Sequence, residues 1–305
     1  MKSKNSYLIS VVMSVFNENV GLLDQAIQSI LKQTYRNIEL IVVLDNPNNI
    51  EAKQYLLSHS HEITLICNET NIGLAKSLNK GIAISNGSLI ARMDADDISL
   101  NNRIEIELDF LLNNDYDLVV SDIQRIDEQG NPLEYIKAVP KDIKDFEFQI
   151  KHRNCVAHPT YLFKKDMFKD IGGYKNLKYA QDYELVRNIY SKGYKIGFLQ
   201  NEILFYRVRE NSISNQRKAE QYFILDYIRT TYNNKRYFNT KYIEECLNGT
   251  IDDYKKFRID FNRYLKYRSR NSPIAFLCVL RSKYIFRHFI HVVFLKVYFV
   301  LNKKV

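Results

Sequence analysis

Leu89-Ile-Ala-Arg-Met-Asp-Ala-Asp-Asp97 is a short, largely apolar run that stops abruptly in three carboxylates. A brief apolar run without strict alternation predicts a strand covered on both faces. The acids then emerge at its carboxyl end, the edge of an open α/β sheet where ligands bind. Asp94, Asp96 and Asp97 repel one another at such spacing, so they need solvent, basic neighbours or a bound cation. Hard divalent cations favour carboxylate oxygens and can be shared with substrate phosphates. Two readings stand at this point: a metal–diphosphate site, and an acidic turn after a strand.

Upstream, Ile9-Ser-Val-Val-Met-Ser-Val-Phe16 and Ile38-Glu-Leu-Ile-Val-Val-Leu44 repeat the buried-strand pattern, and Ile63–Cys67 predicts a third strand. Leu22, Leu23, Ala26, Ile27, Ile30 and Leu31 recur at helical spacing after the first strand. Residues Glu51–His59 suit a helix, and Asn71-Ile-Gly73 is a turn that opens another carrying Leu74, Leu78, Ile82 and Ala83. A helix around Arg103–Leu112 and a strand at Leu118–Ser121 follow the acidic run. Such alternation predicts an α/β fold with a mostly parallel sheet and helices on both faces. Its consecutive strand ends would gather Asn17, Glu18, Asp45 and the Asp94–Asp97 cluster at one rim.

The chain has 305 residues, 46% hydrophobic and 26% charged, as in folded globular proteins. Cys67, Cys155, Cys246 and Cys278 lack the spacing of a zinc site and read as reduced thiols in a cytoplasmic protein. A strand pattern begins almost at once, so no secretory leader is expected. The net charge of +9 is uneven: from Arg229 to Val305 there are 17 Lys+Arg against 5 Asp+Glu, leaving the rest slightly acidic. An anionic surface is the expected partner of that basic part. After about Asn215 the pattern turns helical, with Gln216–Asn233, Asp252–Lys266 and a last helix from Pro273. The expected organisation is a domain over residues 1–215 and a basic helical extension over 216–305.

Several positions carry chemistry-bearing side chains. Asp45 ends the second strand, where a carboxylate can accept hydrogen bonds from a ribose or cap a turn with Asn46-Pro47. Neither GxGxxG nor GxxxxGK[ST] follows the first strand, so a diphosphate has no glycine cradle, which favours a metal. Downstream lie Asn154-Cys-Val-Ala-His-Pro-Thr160, Ile171-Gly-Gly-Tyr174 and Tyr179-Ala-Gln-Asp-Tyr-Glu-Leu185. Asp182 opens a helix there, either as its N-cap or as a base that takes a proton from an acceptor hydroxyl. His158 reads as a site residue or as a hydrogen-bonded core histidine.

Together these segments resemble family 2 glycosyltransferases of the GT-A nucleotide-sugar fold, especially bacterial enzymes of O-antigen and capsule assembly. The matching stretches are Ser10-Val-Val-Met-Ser-Val-Phe-Asn-Glu18, Asp45, Asn71-Ile-Gly-Leu-Ala-Lys-Ser-Leu-Asn-Lys-Gly81, Met93-Asp-Ala-Asp-Asp97, His158-Pro-Thr160, Gly172-Gly-Tyr174 and Gln181-Asp-Tyr-Glu-Leu185. The resemblance covers about residues 7–215, and it is the order of the motifs that makes it specific. It implies a GT-A, Rossmann-like sheet and an inverting transfer from a UDP-sugar. By the same resemblance, Val15, Asn17, Glu18 and Asp45 would hold uridine, with Asn71, Gly73, Lys76 and His158 also lining the nucleotide-sugar site. Asp94 would contact ribose or donor sugar, Asp96 with Asp94 and Asp97 would bind Mn²⁺ or Mg²⁺, and Asp182 would be the catalytic base. Three departures stand out: Gln181 where most relatives carry Glu, Leu78 where Arg is frequent, and Arg209 where His is frequent.

Ser282–Leu301 is apolar but carries Lys283, Arg287, His288, His291 and Lys296, too many ionisable groups for a spanning helix. It is expected to lie in the cytoplasmic face of the inner membrane, basic groups toward anionic lipid, or to pack against the catalytic domain. The resemblance then implies a lipid-diphosphate-linked saccharide as acceptor: N-acetylglucosamine on undecaprenyl diphosphate, receiving glucose or galactose in β-1,3 linkage. No nucleic-acid-binding motif accompanies the basic tail. The competing readings are a sugar-phosphate nucleotidylyltransferase and a non-catalytic nucleotide-sugar-binding protein.

Overall fold

The computed structural model describes residues 4–209, 218–250, 254–255, 257–261, 286–287, 290 and 294. Contacts divide the chain into two compact units. One comprises Met1–Phe146 and Cys155–Arg209. The other comprises Glu147–Asn154 and the described residues from Glu210 to Val305.

The first unit is built on one sheet. Its strands are β1 (Ile9–Val15), β2 (Ile38–Leu44), β3 (Thr64–Cys67), β4 (Leu89–Asp94), β5 (Ile98–Ser99), β6 (Leu118–Ile126), β7 (Leu162–Lys164) and β8 (Ile196–Arg207). Their order is β3-β2-β1-β4-β7-β6-β8-β5. Strands β1 to β4 pair in parallel, as do β6 and β8, whereas β7 and β5 run antiparallel to their neighbours. The expected mostly parallel sheet is therefore present, with two reversals in its second half. Strand β8 escapes a sequence reading because Gln200-Asn-Glu202 interrupts its apolar run at exposed positions, beside a register shift against β6.

Helices α1 (Val20–Leu31), α2 (Ile50–Ser58), α3 (Leu74–Ile84), α4 (Arg103–Asn113), α5 (Ile143–Gln149), α6 (Lys165–Asp170) and α7 (Gln181–Ser191) complete this part of the chain. Alternate residues of β1 serve opposite faces. Ile9, Val11, Met13 and Val15 share a core with Leu23 and Ile27 of α1 and Ile104 and Leu108 of α4. Each such fully buried aliphatic side chain stabilises the fold by about 1.5–3 kcal/mol. On the other face α3 packs so closely that a methyl group at Gly81 would lie 2.7 Å from Val12 Cγ1. Both faces are thus covered. Asn side chains start two of the helices: Asn19 Oδ1 accepts the Leu22 N–H and Asn49 Oδ1 the Ala52 N–H.

In the second unit, α8 (Lys218–Asn233) and α9 (Thr240–Leu247) are the main described helices. Phe223, Cys246, Tyr254, Phe257 and Phe261 form their shared core. Buried Asp226 pairs with Arg229 and with Arg287, each at 2.8 Å. The interfacial helix expected over Ser282–Leu301 lies outside the described residues except at 286, 287, 290 and 294. At those positions Phe286 and Phe294 are exposed, and Arg287, expected to face lipid, turns to Asp226. Among the described residues no helix is long and apolar enough to cross a membrane.

Candidate active site

Strands β1, β2 and β4 run in register, with Val15 opposite Leu44 and Ser14 opposite Asp94. Their carboxyl ends therefore bring the Asn17–Glu18 loop, Asp45 and the acidic run to one rim, as the strand pattern requires. The loop after β1 is tied by its own side chains. Glu18 Oε2 accepts the Phe16 N–H at 2.7 Å, Asn46 Nδ2 donates to Asn17 Oδ1, and Asn49 Nδ2 donates to the carbonyls of Phe16 and Glu18. Val15 is fully buried and its carbonyl accepts the Asp45 N–H, while the Phe16 ring beside it is 37% exposed.

Asp45, expected to accept from ribose or base, is 3% exposed, and its carboxylate is already engaged. Oδ1 accepts from Asn68 Nδ2 and the Ile72 N–H, and Oδ2 from the Gly73 N–H, all at 2.9 Å. These bonds hold the Asn71–Gly73 turn against the end of β2. Gly73 has φ +87°, which favours glycine, and Asn71 Oδ1 accepts its N–H. Lys76, on the first turn of α3, is exposed at the same rim, whereas Leu78 is buried beneath it.

The three acids of the opening motif differ in environment. Asp94 is held by Arg92, a buried arginine in the middle of β4. Burial works against the Arg92 charge, but Asp94, Tyr174 and Asp97 outweigh it and its pKa is raised. Among the described residues its Nε and Nη1 have no hydrogen-bond partner. Asp96 is pushed up to about 6 by burial and by the charge of Asp94, with Arg209 opposing. Asp97 is 1% exposed, and its Oδ1 accepts the Arg207 N–H at 2.8 Å. Burial, then Asp94 and Asp96, lift its pKa well above the carboxylate range.

Two further segments converge here. The Gly172-Gly-Tyr174 turn is clamped by Asn79 of α3, whose side chain accepts the Tyr174 N–H and donates to the Tyr174 carbonyl. Gly173 has φ +66°, and a Cβ there would meet Asn79 Oδ1 at 2.9 Å. The clamp seats Tyr174 so that its hydroxyl lies 2.7 Å from His158 Nε2. Burial and the Arg92 charge lower the His158 pKa well below 6.5, so the ring is neutral. His158 is thus buried, neutral and hydrogen-bonded to Tyr174. Asp182 lies in the first turn of α7, but the N-cap is Ala180, at φ 57°. Asp182 is therefore not the N-cap residue. Burial raises the pKa of Tyr161, Tyr174 and Tyr206, and the Asp182 charge adds to each shift. Tyr206 is the meeting point: burial raises its pKa first, followed by the charges of Asp97, Asp94, Asp96 and Asp182.

Beside Tyr206, Arg207 acts as a buried staple. Its Nε donates to the Asp96 carbonyl at 2.8 Å, Nη1 to the carbonyls of Asp127 and Glu128, and Nη2 to Gln25 Oε1. Arg209 Nε lies 2.9 Å from Asp96 Oδ2, and its Nη2 lies 3.8 Å from Glu18 Oε1. Among the described residues no three His, Cys, Asp or Glu side chains form a ready cage for a metal. The oxygen donors of half-buried Asp94 and Asp96 nevertheless suit Mg²⁺ or Mn²⁺, because such ions bind through one or two carboxylates plus substrate phosphates. Asp97, expected as a third ligand, is buried with one carboxylate oxygen on the Arg207 backbone.

A strand-by-strand reading passed over Arg92, Tyr206 and Arg207. Arg92 had a signal, since a lone arginine inside an apolar strand must find a buried anion. Tyr206 and Arg207 had none, because β8 itself was not legible.

A family profile described as "Glycosyl transferase family 2" matches residues 10–172. The O-antigen biosynthesis glycosyltransferase WbnJ of Escherichia coli is 34% identical over 71% of this chain and 85% of its own length. An E. coli protein named UDP-Gal:alpha-D-GlcNAc-diphosphoundecaprenol beta-1,3-galactosyltransferase is 31% identical over 58% of this chain and 65% of its own. The crystal structure of S. aureus TarS 1-349 in complex with UDP-GlcNAc superposes with TM-score 0.64 at 15% identity, covering 89% of this chain and 79% of that one. That likeness is one of fold, a GT-A sheet. With the profile spanning over half of the sequence and the WbnJ match extending along most of both proteins, this chain belongs to glycosyl transferase family 2.

Proposed function

We propose that this glycosyltransferase moves glucose or galactose from a UDP-sugar to a lipid-diphosphate-linked saccharide by a single, inverting displacement. One observation carries the reading: Glu18 after β1 and Asp96 after β4, distant in the chain, meet on Arg209 beside Asp94 at the strand-end rim, and, after burial, the charges of Asp94, Asp96 and Asp182 all raise the Tyr206 pKa. Carboxylates on one cleft are what a metal-assisted transfer with a general base requires.

In this reading Asp94 and Asp96 would hold Mn²⁺ or Mg²⁺. When bound, the ion supplies Lewis-acid stabilisation of the charge that develops on UDP. Arg92 keeps the Asp94 carboxylate in place, and Arg207 fixes the backbone of Asp96. Asp45 acts through the Asn71–Gly73 turn, which with Lys76 borders the nucleotide. Asn17 and Glu18 shape the loop that presents Phe16, a ring with an exposed face suited to stacking on uracil. Asp182 removes the proton from the acceptor hydroxyl as that oxygen attacks the face of the sugar opposite UDP. An α-linked UDP-sugar then gives a β-linked product.

The two E. coli relatives, by their names, support an acceptor of N-acetylglucosamine on undecaprenyl diphosphate, a β-1,3 linkage and a place in O-antigen assembly. A lipid-linked acceptor and the basic C-terminal part together favour work at the cytoplasmic face of the inner membrane. A nucleotidylyltransferase would need a glycine-rich basic loop after β1, where this chain has Phe16-Asn-Glu-Asn19.

The deciding experiment incubates the full chain and Mn²⁺ with a panel of UDP-sugars and a synthetic diphosphate-linked N-acetylglucosamine, and determines product linkage by NMR. A β-1,3-hexosyl product supports the proposal. UDP binding without transfer to this acceptor or hydrolysis points to a binding protein. Loss of the stacking ring can be read separately. Phe16→Ala should weaken UDP binding by about 1–3 kcal/mol, the usual worth of a base–aromatic stack. Calorimetry with Mn²⁺ present would measure it, and unchanged affinity removes Phe16 from the uracil site.

A further inference from the structure

Arg209 places its Nε 2.9 Å from Asp96 Oδ2 and reaches toward Glu18 Oε1 at 3.8 Å. The proposed function gives that same Asp96 carboxylate to a divalent ion. A guanidinium and a divalent cation repel each other and compete for the charge of one carboxylate, so the hold of either weakens that of the other. We propose that Arg209 is a resident counter-ion for Asp96 that gives way to the divalent ion when the donor arrives, and then pairs with the donor diphosphate. The inference rests on the proposed UDP-sugar reading.

The arrangement supplies each part of this exchange. Glu18, Asp94, Asp96 and Asp97 gather on one rim, and without compensating charge they repel. Arg92 compensates Asp94 from beneath. Arg209 does the same for Asp96 and Glu18, whose side chains are 17% and 14% exposed. Carboxylates so sheltered keep a cation by them before any donor is present. The backbone of Asp96 stays where it is, held by Arg207 Nε at its carbonyl and by the bond between Asp97 and the Arg207 N–H. Arg209 is the movable partner: it lies beyond the end of β8 and its side chain is 30% exposed. Its planar fork of N–H donors matches a phosphate as well as it matches a carboxylate. Exchange leaves no charge stranded, because the incoming diphosphate takes the arginine as the ion takes Asp96. Ion and nucleotide should therefore bind cooperatively, each strengthening the other.

The test measures Mn²⁺ binding to the full chain by electron paramagnetic resonance, with and without UDP, for wild type, Arg209→Met and Arg209→Gln. Circular dichroism confirms that each variant is folded. Without nucleotide, both variants should bind Mn²⁺ at least about fivefold tighter than wild type, the lower end of an ordinary coupling between sites. The enhancement of Mn²⁺ affinity by UDP, strong in wild type, should shrink in both. Equal or weaker Mn²⁺ binding by the folded variants, or none at all, overturns the exchange. If wild type still binds UDP with Mn²⁺ and transfers sugar, that result sinks the exchange alone. A wild-type chain that binds no UDP with Mn²⁺ sinks the proposed function as well.

Discussion

Asp182→Asn is expected to fold and to bind UDP like the wild type while losing about 10²–10⁴-fold in turnover, the usual worth of a general base. The substitution keeps shape and hydrogen-bonding capacity but removes proton affinity. Its structural cost is small, because the α7 N-cap is Ala180 and asparagine can still accept hydrogen bonds at position 182. Losing a negative charge from a first helical turn costs only about 0.3–1 kcal/mol. A thousandfold fall in rate is a barrier change of about 4 kcal/mol. The two effects are therefore separable by measuring kcat beside a urea melt. Retained kcat removes Asp182 as the base. A fall in kcat that tracks a fall in stability assigns it a packing role.

Arg103→Met should produce the largest loss of stability, about 3–5 kcal/mol, as when one partner of a buried ion pair is removed. Arg103 and Glu107 are both wholly buried on α4. Arg103 Nε lies 3.1 and 3.2 Å from the two Glu107 oxygens, and Nη2 donates to the Arg92 carbonyl at 2.9 Å. Methionine fills much of the volume but leaves the Glu107 carboxylate without a counter-charge and the Arg92 carbonyl without that donor. Burial already raises the Glu107 pKa to about 7 with the arginine present. The double variant Arg103→Met, Glu107→Leu should recover most of the loss, since an apolar pair needs no compensation. A urea-melt difference under 1 kcal/mol for the single variant would show that the pair contributes little. The Arg92 carbonyl lies directly below Met93 and the acidic run, so this pair also supports the floor of the active site.

Much of the first half of the fold is legible residue by residue. Strand β2 falls over Ile38–Leu44 as its apolar run predicts, and β1, α2, α4 and β4 shift by only a residue or so at their ends. The signal there is uninterrupted burial, which apolar β-branched runs advertise. The second half is less legible. The three residues of β7 are too few to show a period, and β8 carries three exposed polar residues in its middle. Both owe their place to neighbouring strands, a tertiary effect that overrides local preference.

The candidate site divides in the same way. Its acidic motif, its aspartate at the head of α7 and its position at a strand-end rim follow from local pattern, because a carboxylate after a buried strand has one side of the sheet on which to emerge. What each carboxylate does there is decided by partners far away in the chain. Asp45 accepts from the Asn68–Gly73 segment, Asp97 Oδ1 from the Arg207 backbone, Asp96 pairs with Arg209, and Asp94 is held from beneath by Arg92. Spacing tells which side chains reach a rim, since that depends on the two-residue period of a strand. It does not tell which of them are already satisfied, since a hydrogen bond depends on ångström-scale distances that only folding sets.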